Sequence, residues 1–265
     1  MTSKEKRKGA RTIKDIPSDI LLELNAGVIE SANLVEWLAV DHRVLLSNIL
    51  HQKRKTAYHQ EILNHWKELK KDSINTRNEA VGKAISTIVQ REDDWEFLTQ
   101  ISKHTSDSVR CWAAYAFGDI HKNDLKKLLN EIIPFADDPH FGVREIAWMA
   151  VRPMIASDLE KSIDLLTSWT ISKSENLRRF ASEATRPRGV WCAHIPALKE
   201  NPEMGMAIIE PLKEDASKYV RDSVGNWLND AAKTAPDFVR AVCHRWSSIP
   251  SSHTQYIIKK AMRSL

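Results

Sequence analysis

Glycine is scarce in this chain, with eight in 265 residues, and proline is missing from long stretches. Few positions therefore favour sharp turns or break a helix, and with Ala, Leu, Ile, Lys and Glu abundant the composition favours helix. No apolar run is long enough to span a bilayer, and charged residues make up 28% of the chain, so a membrane protein is excluded. There is no glycine-rich phosphate loop, no HExxH and no nucleophile elbow, which argues against nucleotide-dependent chemistry. The three cysteines, Cys111, Cys192 and Cys243, are odd in number, far apart and without metal-ligand spacing. They read as reduced thiols of a soluble, cytoplasmic protein, and Cys192 with His194 is a structural pair before it is a metal site. No cofactor and no metal are expected.

Residues 1–14 carry Lys4, Lys6, Arg7, Lys8, Arg11 and Lys14 with no apolar core behind them, so they are not a secretory signal. This segment reads as a basic arm, either contacting phosphates or serving as a disordered solubilising tail. Residues 15–265 read as one repeat domain. The net charge of +4 permits a polyanionic partner without demanding one.

Four segments align without gaps, beginning at Ser106, His140, Ser174 and Ser217. With Val109, Val143, Leu177 and Val220 as origins, positions 0, +4 and +7 are small or apolar in each: Ala113 and Ala116, Ala147 and Ala150, Ala181 and Ala184, Val224 and Trp227. That spacing is one helical face, and its alanines let a neighbouring helix approach closely. The origins of the first three units are 34 residues apart and the last interval is 43, so about nine extra residues form a loop around Arg186–Asn201. Amphipathic stretches at Asp93–Lys103, Asp124–Phe135, Asp158–Ile171 and Pro202–Lys213 precede the four helices. Further helices are expected at Ser31–His51, Lys55–Lys70, Ser73–Gln90, Asp237–Ser247 and Ser252–Leu265. The fold class is all-α, an α-solenoid of HEAT-like helix pairs, read as a monomer.

Each of the four helices carries an arginine at +1: Arg110, Arg144, Arg178 and Arg221. A residue recurring at one repeat position serves the repeat, so a ladder of pairs with carboxylates such as Asp107, Asp137 and Asp138 is favoured over a row of phosphate contacts. Position +2 lies about 200° from the origin and is expected to face away from the packing surface. It carries Cys111, Glu145, Arg179 and Asp222. Glu145, Trp148 and Arg152 make one stripe and Arg179, Glu183 and Arg186 another. Alternating charges are commonly a solvated salt-bridge surface, but an exposed Trp148 gains little from water, so the stripes are read as a site for a flat or cationic group with a phosphate.

Val143–Glu145 with Arg152–Pro153, then Leu177–Trp191 (LRRFASEATRPRGVW), then Tyr219–Lys233 (YVRDSVGNWLNDAAK) resemble the AlkC/AlkD-type DNA alkylation repair glycosylases. Glu36–Leu46 is similar to the AlkC branch. The resemblance implies excision of N3- or N7-alkylated purines from double-stranded DNA without metal or cofactor. Glu145 and Asp230 would be the carboxylates near the lesion sugar, Arg179 would hold a backbone phosphate, and Trp191 would pack at the lesion. The residue pattern adds Trp148, Arg152 and Arg186 as DNA contacts. Against these stand a helix-end turn for Asp230, a loop plug for Trp191 and a surface pair with Arg179 for Glu145. Two features depart from the family: Gly189–Val190 replaces a Leu–Pro before the Trp, and no immunoglobulin-like domain follows Leu265. The alternatives are a catalytically silent protein that binds DNA of unusual shape, and a scaffold for a protein partner, which would need an apolar inner face.

Overall fold

The computed structural model describes residues 7–265, and nothing in them is strand. Sixteen α-helices follow in chain order: α1 (Ser18–Ala26), α2 (Leu34–Ala39), α3 (His42–Gln52), α4 (His59–Lys67), α5 (Ile74–Glu92), α6 (Trp95–Ser102), α7 (Asp107–Ile120) and α8 (Leu125–Ala136). The remainder are α9 (Phe141–Ser157), α10 (Leu159–Thr167), α11 (Glu175–Ala184), α12 (Pro196–Glu200), α13 (Met206–Ile209), α14 (Lys218–Ala232), α15 (Pro236–Ser247) and α16 (Ser252–Ala261). None among the described residues is long and apolar enough to cross a membrane. The described residues divide into two compact units, 7–121 with 138–150, and 122–137 with 151–265. Helix α9 begins in the first and ends in the second.

The expected repeat helices are α7, α9, α11 and α14. Of their twelve face positions ten are buried; Ala150 and Leu177 are half-buried. Two expectations were too coarse. Ser31–His51 is two helices, because the Asn33 side chain caps α2 at Glu36 N and Asp41 caps α3 at Arg43 N and Val44 N, each satisfying donors that a continuous helix would not free. Pro202–Lys213 is a 3-10 turn followed by the four residues of α13, since Pro202 and Pro211 each lack a donor. Helix α1 lay outside the expected set.

The +1 arginines form a structural ladder. In every repeat the terminal nitrogen bridges two carbonyls of the preceding connection: Arg110 those of His104 and Thr105, Arg144 those of Asp138 and Pro139, Arg178 those of Ser172 and Lys173, and Arg221 those of Asp215 and Ala216. The same guanidinium reaches onward in two repeats. Arg110 meets Asp138 at 2.8 and 3.1 Å, and Arg178 meets Asp215 at 2.6 and 3.0 Å. Planar forks suit this double task, and these charge-assisted bonds tie one connection to the next.

Asp107 and Asp137 serve otherwise. Asp137 accepts from the Ser174 hydroxyl and the Asn176 amide. Asp107 accepts from Ser31 N at 3.0 Å and Ser31 Oγ at 2.8 Å. His140 completes this buried knot: its Nδ1 accepts from Gly142 N at 3.1 Å, so its Nε2 carries the hydrogen and donates to Ser31 O at 2.8 Å. With the serine hydroxyl turned to the aspartate and the imidazole Nε2 carrying its own hydrogen, His140 is not a base for Ser31.

Candidate active site

Each proposed site residue falls in one unit. In the first, Glu145 sits half-buried on α9 and accepts the Trp148 indole N–H at 2.9 Å on its Oε2. One turn of helix separates the two, so the indole fixes the carboxylate's orientation. Trp148 itself is 1% exposed. The expectation of an exposed tryptophan therefore fails: its ring is packed, and only its N–H is spent on the polar stripe. Cys111 at the +2 position of α7 is also fully buried, because that helix is covered on more than one side. Burial pushes its thiol far above the ordinary range, with Asp107 adding to the effect.

The second unit holds a cluster of buried charge. Arg186, just past the end of α11, donates its terminal nitrogen to Glu183 Oε1 at 2.6 Å and its Nε to Asp230 Oδ2 at 2.8 Å. A second terminal nitrogen lies 2.7 Å from the same Oδ2. Asp230 Oδ1 meets only a 3.4 Å contact from Lys233 among the described residues. Glu183 Oε2 accepts from the Ser223 hydroxyl at 2.7 Å and lies 3.5 Å from Arg179. The Arg179 guanidinium also stacks 4.2 Å from the Tyr219 ring centroid, a cation–π contact. Burial would raise the Glu183 carboxyl, but Arg179, Arg186 and the Ser223 hydroxyl together hold it below its ordinary value. It accepts hydrogen bonds and has no proton to give near neutrality.

Arg186 is 7% exposed and Asp230 is 4% exposed. The arginine is therefore not a surface phosphate contact but the group that holds the two carboxylates. Asp230 lies inside α14, two residues before its end, so the helix-end turn is also set aside. Removing either charge would strand the other in a dry setting, which typically costs about 3–5 kcal/mol.

Arg152 is corrected in the same way. It is 3% exposed, and three of its bonds go to backbone: Nε to Ala193 O at 3.0 Å, and its terminal nitrogens to Ala184 O at 2.8 Å and Arg186 O at 2.6 Å. Burial pushes its pKa below the ordinary guanidinium value. It moors the connection between α11 and α12. Gly189 lies against it, and a Cβ there would stand 3.0 Å from the guanidinium carbon and 2.1 Å from Cys192 Sγ, so a side chain at 189 would dislodge the loop. This accounts for Gly189 where the related pattern has leucine.

The moored loop presents Trp191, which is 63% exposed with φ +62°. A large residue in left-handed backbone is strained, and an indole open to water forgoes its burial. Both costs fall on one residue, held by the contacts that fix the loop. The loop-plug reading fails, because a plug would be covered. Among the described residues no group of His, Cys, Asp and Glu is arranged to hold a metal ion.

Glu183, Tyr219 and Lys233 join this site without having been selected as site residues. The spacing had put Glu183 in the stripe, but only the fold shows that it shares Arg186 with Asp230. Lys233 stands three residues after Asp230, within reach on one helix face, a signal that could have found it.

A family model described as DNA alkylation repair enzyme matches residues 143–264. This stretch contains α9, α11, α14 and the moored loop. An uncharacterized protein of Bacillus subtilis, YhaZ, is 47% identical over 116 residues, covering 44% of this chain and 32% of that protein. Among solved structures, the Pseudomonas fluorescens alkylpurine DNA glycosylase AlkC, bound to DNA containing an abasic site analog, aligns with TM-score 0.67 at 21% identity over 97% of this chain and 65% of its own. AlkD2 of Streptococcus mutans aligns with TM-score 0.62 at 26% identity over 78% of this chain and 98% of its own. The chain thus spans about a third of its curated relative and under two thirds of the AlkC structure. The structural likenesses support the all-α repeat fold read from the sequence.

Proposed function

We propose that the protein is a DNA glycosylase that removes cationic N3- or N7-alkylated purines from double-stranded DNA by hydrolysing the N-glycosidic bond. The observation that carries this reading is Asp230, a buried carboxylate lying within the matched family segment, gripped by Arg186 through one oxygen and lightly engaged at the other. An alkylated purine carries positive charge and leaves as a neutral base, so no acid is needed on the leaving group. The site must instead stabilise the oxocarbenium-like sugar and guide a water, which carboxylates do.

In this reading Glu145, oriented by Trp148, and Asp230, positioned by Arg186, are the catalytic carboxylates. Arg179 meets a backbone phosphate and Trp191 packs at the lesion. The test is release of methylated purine from alkylated duplex DNA. Asp230→Asn and Glu145→Gln are expected to lower excision roughly 10²–10³-fold, the scale for removing one electrostatic group from a site, with duplex binding kept. Undiminished excision by both variants would discard the site. A second reading, DNA binding without excision, is favoured by the 4% exposure of Asp230. It requires that wild-type protein at low salt bind duplex and release no base.

A further inference from the structure

Two cations lie on Asp230, and they are held very differently. Arg186 is buried, with Nε and one terminal nitrogen on Asp230 Oδ2 at 2.8 and 2.7 Å and the other terminal nitrogen on Glu183 Oε1 at 2.6 Å. Moving it would break contacts to both carboxylates at once. Lys233 stands at the other oxygen, Oδ1, at 3.4 Å, longer than the about 2.7–2.9 Å of a good charge-assisted bond. Its side chain is 47% exposed, against 5% for Asp230. The lysine reaches in from water to a carboxylate that is itself dry.

Leaving costs Lys233 little. It is the C-cap of α14, where the negative end of the helix dipole favours an ammonium, and a lysine head is compact, flexible and strongly hydrated. Nor is its charge needed where it lies. Arg152, Arg179 and Arg186 bring three positive charges to bear on the two carboxylates, Glu183 and Asp230, an excess of one before Lys233 is counted. A cationic base or an oxocarbenium-like sugar arriving at Oδ1 meets this surplus, and takes the carboxylate by displacing the one cation able to move. A neutral nucleotide brings no charge to trade, so the pair stays in place.

We propose that Lys233 is the exchangeable counter-ion of the excision site, displaced from Asp230 Oδ1 by the positive charge of the alkylpurine nucleotide. The base leaves neutral, the sugar carries the charge until water adds and gives up a proton, and Lys233 then returns. The lysine keeps Asp230 paired between turnovers and competes with substrate for it. It acts through Asp230, as a positioning residue. The inference rests on the glycosylase reading above and adds to it how the charged substrate gains the carboxylate.

The experiment compares the affinity of two duplexes, one with a pyrrolidine abasic nucleotide, protonated at neutral pH, the other with its uncharged tetrahydrofuran counterpart. Lys233→Gln removes the competitor and raises the preference for the charged site roughly fivefold, the scale of a half-exposed ion pair. Lys233→Arg keeps the competing charge and leaves the preference at the wild-type value. In an Asp230→Asn background Lys233→Gln has no further effect on it. Thermal unfolding of Lys233→Gln matches the wild type. An unchanged or lowered preference in Lys233→Gln overturns the proposal. So does equal weakening on both duplexes, which would make Lys233 a plain phosphate contact, or a wild type that binds neither. The expected shift without base release by the wild type leaves the counter-ion standing and removes the glycosylase reading; base release with no shift removes the counter-ion alone.

Discussion

Replacing Arg152 by lysine tests whether this residue moors a loop or touches DNA. In the folded protein its guanidinium satisfies three carbonyls, of Ala184, Arg186 and Ala193, at 2.6–3.0 Å, while almost fully buried. A lysine can reach one of these at most, leaving two backbone acceptors buried and unmet. Each orphaned acceptor costs about 1–3 kcal/mol. Nothing is returned by the smaller head group, because an ammonium is more strongly hydrated than a guanidinium and the burial that lowers the arginine's pKa acts on it as well. The net loss is about 3 kcal/mol, which lowers Tm by roughly 10 °C in a chain of this size. Hydrogen exchange across residues 184–195 is the second readout, because unmooring exposes those amides before the rest of the unit opens. A loss under about 0.5 kcal/mol with unchanged protection would refute the mooring role. A changed salt dependence of DNA binding with stability intact would restore the contact that the sequence suggested.

Trp191→Gly relieves left-handed backbone and is expected to raise stability by about 0.5–1 kcal/mol while lowering excision, a trade read by chemical denaturation and base release together. Trp148→Phe removes the donor that orients Glu145 and is expected to lower single-turnover excision about tenfold without weakening duplex binding; an unchanged rate would exclude the orienting role. His42 is buried, and desolvation, helped by Arg77, pushes its pKa down to about 3. Below pH 6.5 the unfolded chain takes up a proton that the folded imidazole refuses, so this stabilisation, complete above 6.5, is lost as pH falls toward 3. Between pH 6.5 and 4.5 the loss is about 2.3 kcal/mol, and His42→Gln flattens that slope in denaturation measured across the range.

The repeat was legible because it is written in spacing: small residues at 0, +4 and +7 mark the packed face whatever their partners are. The arginine ladder was legible for a related reason, since an element repeated in every unit serves what every unit shares. Burial on the opposite face was not. The reasoning at +2 assumed one packed side per helix, whereas Cys111, Trp148 and Arg152 are covered as well. Nor did the sequence show that Arg152 satisfies carbonyls rather than phosphates, because a guanidinium suits both equally. That distinction depends on where the α11–α12 connection runs, and an insertion has no repeat from which to read its path.

The most direct test of the central claim is single-turnover release of N3-methyladenine and N7-methylguanine from alkylated duplex DNA at low salt and excess protein. The account predicts release by the wild type and a loss of roughly 10²–10³-fold in Asp230→Asn, with duplex affinity retained. No release by folded, DNA-bound wild type, or equal release by the variant, would contradict it.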